Sequence, residues 1–201
     1  MSKRIALLSA AAFSALALTA TLVAPVSAQE KKMMKSELSG EKTVMVGGAA
    51  MYPSKNIIQN AVNSKDHTTL VAAVKAAGLV DTLSGKGPFT VFAPTNDAFA
   101  KLPAGTVDTL LKPENKDKLT KILTCHVVAA NAMSTAINKM IKDDGGAHKV
   151  KTVGGCMLTV KNEGGKIKIT DEKGQTATVT IADVKQSNGV IHVIDTVLLP
   201  G

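Results

Sequence analysis

Two cysteines and four histidines are the residues of this chain whose types could carry chemistry. Cys125 and Cys156 would close a loop of about thirty residues, and a disulfide there would contribute roughly 3–4 kcal/mol in the chain-entropy description. An exported chain with two cysteines favours that pairing. The sharper alternative is a redox or nucleophilic thiol, because His126 adjoins Cys125. If this segment is a strand, however, neighbouring side chains point to opposite faces, so adjacency separates imidazole from sulfur.

His67, His126, His148 and His192 show neither zinc-ribbon nor HExxH spacing. His192 lies in Val190-Ile191-His192-Val193-Ile194, apolar on both faces, so burial with a backbone hydrogen bond is expected. His67 reads as solvent-facing in a first helical turn and His148, after two glycines, as exposed. Met33, Met34, Met45 and Met51 carry soft thioether sulfur, but their spacing is irregular and no His or Cys accompanies them. No metal and no other cofactor is expected. Asp81, Asp97 and Asp195 are isolated carboxylates, and Asp97 is best explained by a helix N-terminus. Nucleophile elbow, phosphate loop and dinucleotide fingerprint are all missing, which argues against an enzyme.

The start of the chain sets the compartment. Lys3 and Arg4 precede an apolar run from Ile5 to Ala24, and Val26-Ser27-Ala28 is a small-residue cleavage pattern. Residues 1–28 therefore read as a signal peptide; a retained membrane anchor is the competing reading, since the run nears the ~20 residues that span a bilayer. No further span is expected after cleavage. Periplasm, cell surface and secretion all remain open as destinations.

The 201 residues carry a formal charge of +8. Loss of the signal removes Lys3 and Arg4, and Arg4 is the only arginine. Without that planar fork, and with one Tyr, four Phe and no Trp, guanine reading, base stacking and sugar stacking lose their usual groups. No nucleic-acid partner is expected. The lysines interleave with acids, as in Lys112-Pro113-Glu114-Asn115-Lys116-Asp117-Lys118, and describe a solvated surface with weak, salt-sensitive attraction to anionic polymers at most.

The elements follow from local pattern. Residues 29–53 read as a flexible linker or arm, and 54–200 as one folded domain. Ser54 is a candidate cap for a helix carrying Ile57, Ile58 and Val62. Asp66 then opens a helix with Leu70, Val71, Val74 and Ala77 inward and Gly78 as its stop. Pro88 to Pro94 is a strand, Thr95-Asn96-Asp97 caps the next helix, and Leu119, Ile122 and Leu123 form the inward stripe of a later one. Beyond Gly146 the period shifts to 2: strands are expected at 149–153, 157–161, 166–170, 176–184 and 189–199. Helices first and antiparallel strands second argue for an α+β fold.

Gly87 to Phe99, with Thr90, Phe92, Pro94, Thr95, Asp97 and Phe99, resembles the first signature box of the fasciclin-like domain family. Asn188 to Asp195, with His192 and Asp195, resembles the second. Leu123 to Val128 is similar to the family's Tyr-His motif, with His126 at the histidine and Cys125 in place of the tyrosine. The resemblance implies a β-wedge of antiparallel strands packed with several short helices, in which these motif residues are structural. It also implies a binding or adhesion module for cell-surface or matrix protein or polysaccharide. Asn115, Asp117 and Leu119 match a short interaction motif of animal members, with Lys118 where an apolar residue is usual. Two alternatives are a carrier of a small apolar ligand, which needs a cavity of ~300 Å³ or more between helices and sheet, and a thiol redox enzyme.

Overall fold

Two segments in which apolar residues continue on both faces can be satisfied only inside a structure, with cover on either side. These are β3 (Phe89–Pro94) and β9 (Gly189–Ile194), and they lie side by side in parallel register, Phe92 opposite His192. The computed structural model describes residues 41–201, so the expected signal peptide at 1–28, Met33 and Met34 lie outside the described residues.

The elements before and after β3 are β1 (Val44–Val46), β2 (Ala49–Met51), α1 (Ile57–Ala61), a 3-10 turn at Lys65–His67, α2 (Thr68–Ala77) and α3 (Val80–Ser84), then α4 (Asn96–Ala100), α5 (Thr106–Leu110), α6 (Lys116–Cys125) and β4 (Val127–Val128). The remainder is α7 (Ser134–Asp143), β5 (Ala147–Lys151), β6 (Met157–Glu163), β7 (Lys166–Thr170) and β8 (Thr176–Gln186), followed by β9. Seven strands form one sheet in the order β4-β3-β9-β8-β7-β6-β5, and β1 pairs with β2 in a separate hairpin. Every described pairing is antiparallel except β3 with β9. The α+β wedge is thus present, with a parallel seam where the two resemblance boxes meet.

Side chains alternate across that seam. Val91, Ala93, Ile191 and Val193 join one core with residues of α1 to α4 and α6 and of the β1–β2 hairpin. Phe92 and Ile194 join a second core with Ile137 and Ile141 of α7 and Leu158, Val160, Ile167 and Ile169 of β6 and β7. β8 makes the wedge. Residues 176–178 pair with β7 and the strand from Val179 onward pairs with β9, where the register shifts twice, the second time across Asp183, whose φ is 59°. Such bulges bend a strand and let it change partners.

Local chemistry corrects several expected boundaries. Asn56, not Ser54, caps α1: its side chain accepts from the Gln59 backbone N–H while the Gln59 side chain accepts from the Asn56 N–H. Ser54 instead donates to Glu41. Asp66 lies in the 3-10 turn, and α2 starts two residues later. The arm at 44–51 is the β1–β2 hairpin, with Val46 and Met51 buried in the first core.

Cys125 ends α6 rather than lying in a strand, and it is bonded to Cys156 with the Cα atoms 5.4 Å apart, within the ordinary disulfide span. The same junction carries Val153 N–H to Val127 O (2.7 Å) and Gly154 N–H to Thr124 O (3.0 Å). The β5–β6 turn is thereby fastened to the far end of the sheet, beside β4. Alkylation under denaturing, non-reducing conditions should label no thiol, and reduction should lower stability by roughly 3–4 kcal/mol in urea titration. Two labelled thiols in the native protein would contradict the pairing.

Candidate functional site

The buried polar residues of the wedge are where function would be expected, and their geometry shows what each does. His126 follows α6 and is 2% exposed. Its Nε2 accepts the Leu198 N–H at 2.9 Å, so Nδ1 carries the proton and donates to Ile122 O at 2.9 Å. One neutral ring thereby fastens a helix end to the C-terminal segment. Burial pushes its pKa down from 6.5 to about 4, because a second ring proton would face the Leu198 donor in a dry site.

His192 uses the opposite tautomer. Nδ1 accepts from the Asp183 N–H at 3.3 Å and Nε2 donates to Ala132 O at 2.8 Å. Its ring stacks on Phe92 with centroids 5.9 Å apart, and burial lowers its pKa. Asp183 in turn accepts from the Ser134 N–H (2.7 Å) and the Ser134 hydroxyl. Thr90 completes this group, donating to Ala130 O (2.6 Å) and accepting from the Ala132 N–H (2.8 Å). The loop before α7 is therefore gripped by Thr90, His192 and Asp183. Ser134, Asp183 and His192 are the residue types of a hydrolase triad, but the serine bonds the carboxylate and not the imidazole. The imidazole that would serve as base in such a triad is spent on the Asp183 N–H and Ala132 O.

Asn188 performs the same task at the other end of β9. Its Oδ1 accepts from the Ile57 N–H (3.1 Å) and its Nδ2 donates to Leu83 O (2.8 Å) and Gly85 O (2.9 Å). It belongs to the second box, yet nothing in its type distinguishes a three-way bridge from an ordinary turn asparagine. Asn96 was equally silent: it ties Thr68, Thr69 and Lys65 to the start of α4.

The remaining expected positions divide clearly. Thr95 caps α4 by accepting from the Ala98 N–H (3.2 Å), Asp97 is exposed in the first turn of that helix, and Pro94 and Phe99 are buried. Asp195 accepts from the Thr178 N–H (2.8 Å), closing the β8–β9 pairing. His67 is a correction. It is 3% exposed, with Nδ1 2.9 Å from the Ser64 hydroxyl, because the 3-10 turn rotates it inward, and burial lowers its pKa. His148 is half-buried and lies 2.6 Å from Asp144. Leu119 is also corrected as an interaction residue: it is 3% exposed in the first core, while Asp117 faces solvent and Asn115 bonds Thr109 O. A four-residue spacing on a helix cannot present all three to one partner when the helix buries its Leu stripe.

Cys125 and His126 point apart, one to Cys156 and the other to Leu198, so no thiol–imidazole pair forms. No group of three or more His, Cys, Asp or Glu among the described residues could hold a metal ion. The apolar cavities between helices and sheet measure about 30 and 20 Å³, room for a water molecule and not for a ligand.

This architecture, a bent sheet with α1–α6 over one face and α7 over the other and buried polar residues that fasten loops, defines a scaffold whose buried polar groups are used structurally. The fasciclin domain model matches residues 65–200, and the chain belongs to the fasciclin domain family. It is 51% identical over 160 residues to Protein sll1483 of a Synechocystis strain, covering 80% of this chain and 82% of that one. It is 37% identical over 160 residues to the cell surface glycolipoprotein MPB83 of Mycobacterium bovis, covering 77% and 64%. A solved domain pair from the insect cell adhesion molecule fasciclin I superposes with a TM-score of 0.52 at 26% identity, covering 65% of this chain and 43% of that one.

The neutral histidines give a pH dependence of known sign. His67, His126 and His192 all have pKa values lowered by burial. The unfolded chain therefore binds more protons, and stability is full above about 6.5 and falls as pH drops from there. For His126 the loss continues to about pH 4 and amounts to roughly 3 kcal/mol. His126→Ala should cost about 3 kcal/mol or more at pH 8 and flatten the decline between pH 6.5 and 4. Chemical denaturation across that range checks both, and an unchanged slope in the variant would contradict the assignment.

Proposed function

We propose that this chain is an exported, non-catalytic binding or adhesion module that contacts cell-surface or extracellular-matrix macromolecules. The observation that carries this reading is the packing between helices and sheet among the described residues: the apolar cavities there, of about 30 and 20 Å³, are too small for an apolar cargo, so recognition falls to the surface. The alternative of a carrier loses its basis on the same volumes. The thiol enzyme loses its basis because both cysteines are consumed by one disulfide.

Membership of the fasciclin family and the likeness to an insect cell adhesion molecule and a mycobacterial cell surface glycolipoprotein support the surface role. Among the described residues, no helix is long and apolar enough to cross a membrane. The motif residues Thr90, His126, His192 and Asp195 act in this reading as fasteners for the presenting loops, not as contacts. Asn115 and Asp117 remain available at the α6 surface as secondary contacts, without Leu119.

A pull-down with the tagged protein against cell-envelope and matrix extracts tests the assignment. Recovery of protein or polysaccharide that survives moderate salt is expected. Recovery of apolar metabolites alone, with no macromolecule, would overturn it.

A further inference from the structure

Four segments meet around an open concavity of about 470 Å³, within the size range of small-ligand sites. Asn56 comes from the start of α1, Ser84 from the end of α3 and Lys86 from the segment that follows it, Asn131 from the loop before α7, and Ser187 from the β8–β9 turn. No carboxylate and no aromatic ring lines it. The walls are held from behind. Asn188 bridges the first two segments, and Thr90 and His192 grip the loop that carries Asn131. By contrast, no described residue engages the side chains of Ser84, Lys86, Asn131 or Ser187 in a hydrogen bond or ion pair. A fixed frame therefore surrounds the uncommitted amide of Asn131, two hydroxyls and one ammonium group.

That donor set defines a ligand. Amides and hydroxyls both donate to and accept from sugar hydroxyls, while a lysine with no lining acid to neutralise it selects a negative charge. The polar lining gives little to an apolar molecule, and its concavity suits a chain threaded through it better than a flat protein face. We infer that this concavity is a subsite for an acidic polysaccharide, with the sugar hydroxyls on Asn131, the two serines and the Asn56 Nδ2, whose Oδ1 is held by the α1 cap, and the uronate carboxylate on Lys86. The inference rests on the adhesion reading and specifies its partner class. Because the frame is rigid before the ligand arrives, little ordering cost opposes weak recognition of each unit, and repetition along the polymer raises the avidity.

The test is a titration of the isotope-labelled protein with a galacturonate hexamer and with a neutral glucose hexamer, read by backbone amide shifts. Shifts concentrated at 84–87, 131 and 187–189 are expected, with the neutral hexamer about tenfold weaker and Lys86→Gln weakening the acidic one by about tenfold. Lys166→Gln, on β7 and outside the concavity, should leave affinity unchanged. Shifts scattered over Lys149, Lys151 and Lys166, or full binding by Lys86→Gln, would overturn the subsite. Running wild type and Lys86→Gln in the envelope pull-down separates the two claims. If both retain a macromolecular partner while the titration is silent, the subsite falls and the adhesion reading stands. If wild type binds the acidic hexamer at the concavity but captures no macromolecule, the adhesion reading falls and the subsite stands.

Discussion

The parallel contact between β3 and β9 is the constraint on which the rest of the structure depends. Both strands are buried on both faces, so their backbone groups must be paired with each other and with the flanking strands β4 and β8. Each face then carries a different core, one beneath the α1–α6 layer and one beneath α7 and the curled β6–β7 region. Close approach sets the register at the open end. A Cβ at Gly189 would collide with the Phe89 backbone, and one at Gly87 with the Asn188 backbone. Only glycine at these two positions lets the two boxes meet at that depth.

A strand pair with no wet face places every polar side chain it carries under obligation. Thr90, His192 and Asn188 meet that obligation by reaching to loops, and His126 does so from the end of α6. A neutral imidazole suits the task because it offers one donor and one acceptor on a rigid ring. The consequence for function is direct. The groups that look reactive hold loops in place, and the loops present the groups that remain free. The disulfide serves the same end by fixing the β5–β6 turn to the end of α6.

Legibility in the sequence followed the range of the interaction. Gly78 as a helix stop, Thr95 as a cap and the alternation in β6 and β7 rest on local rules and hold as read. The two apolar runs marked the central strands, but an apolar run says nothing about direction, so the parallel pairing needed the structure. His67 faced solvent under an assumed α-helical start; the 3-10 turn at Lys65–His67 rotates it inward. Leu119 belongs both to an interaction-like motif and to the inward stripe of α6, and burial decided between them. The concavity was illegible because it joins residues 56, 86, 131 and 187, which only the folded loops bring together.

If the β3–β9 seam organises the fold, its amides should open only when the whole protein unfolds. Native-state hydrogen exchange measures this directly. The account predicts that Val91, Phe92, Ile191 and His192 exchange with an opening free energy equal to the global stability, above that of β5 and of the β1–β2 hairpin. Exchange at those four amides through a smaller opening, with β6 and β7 still protected, would contradict it.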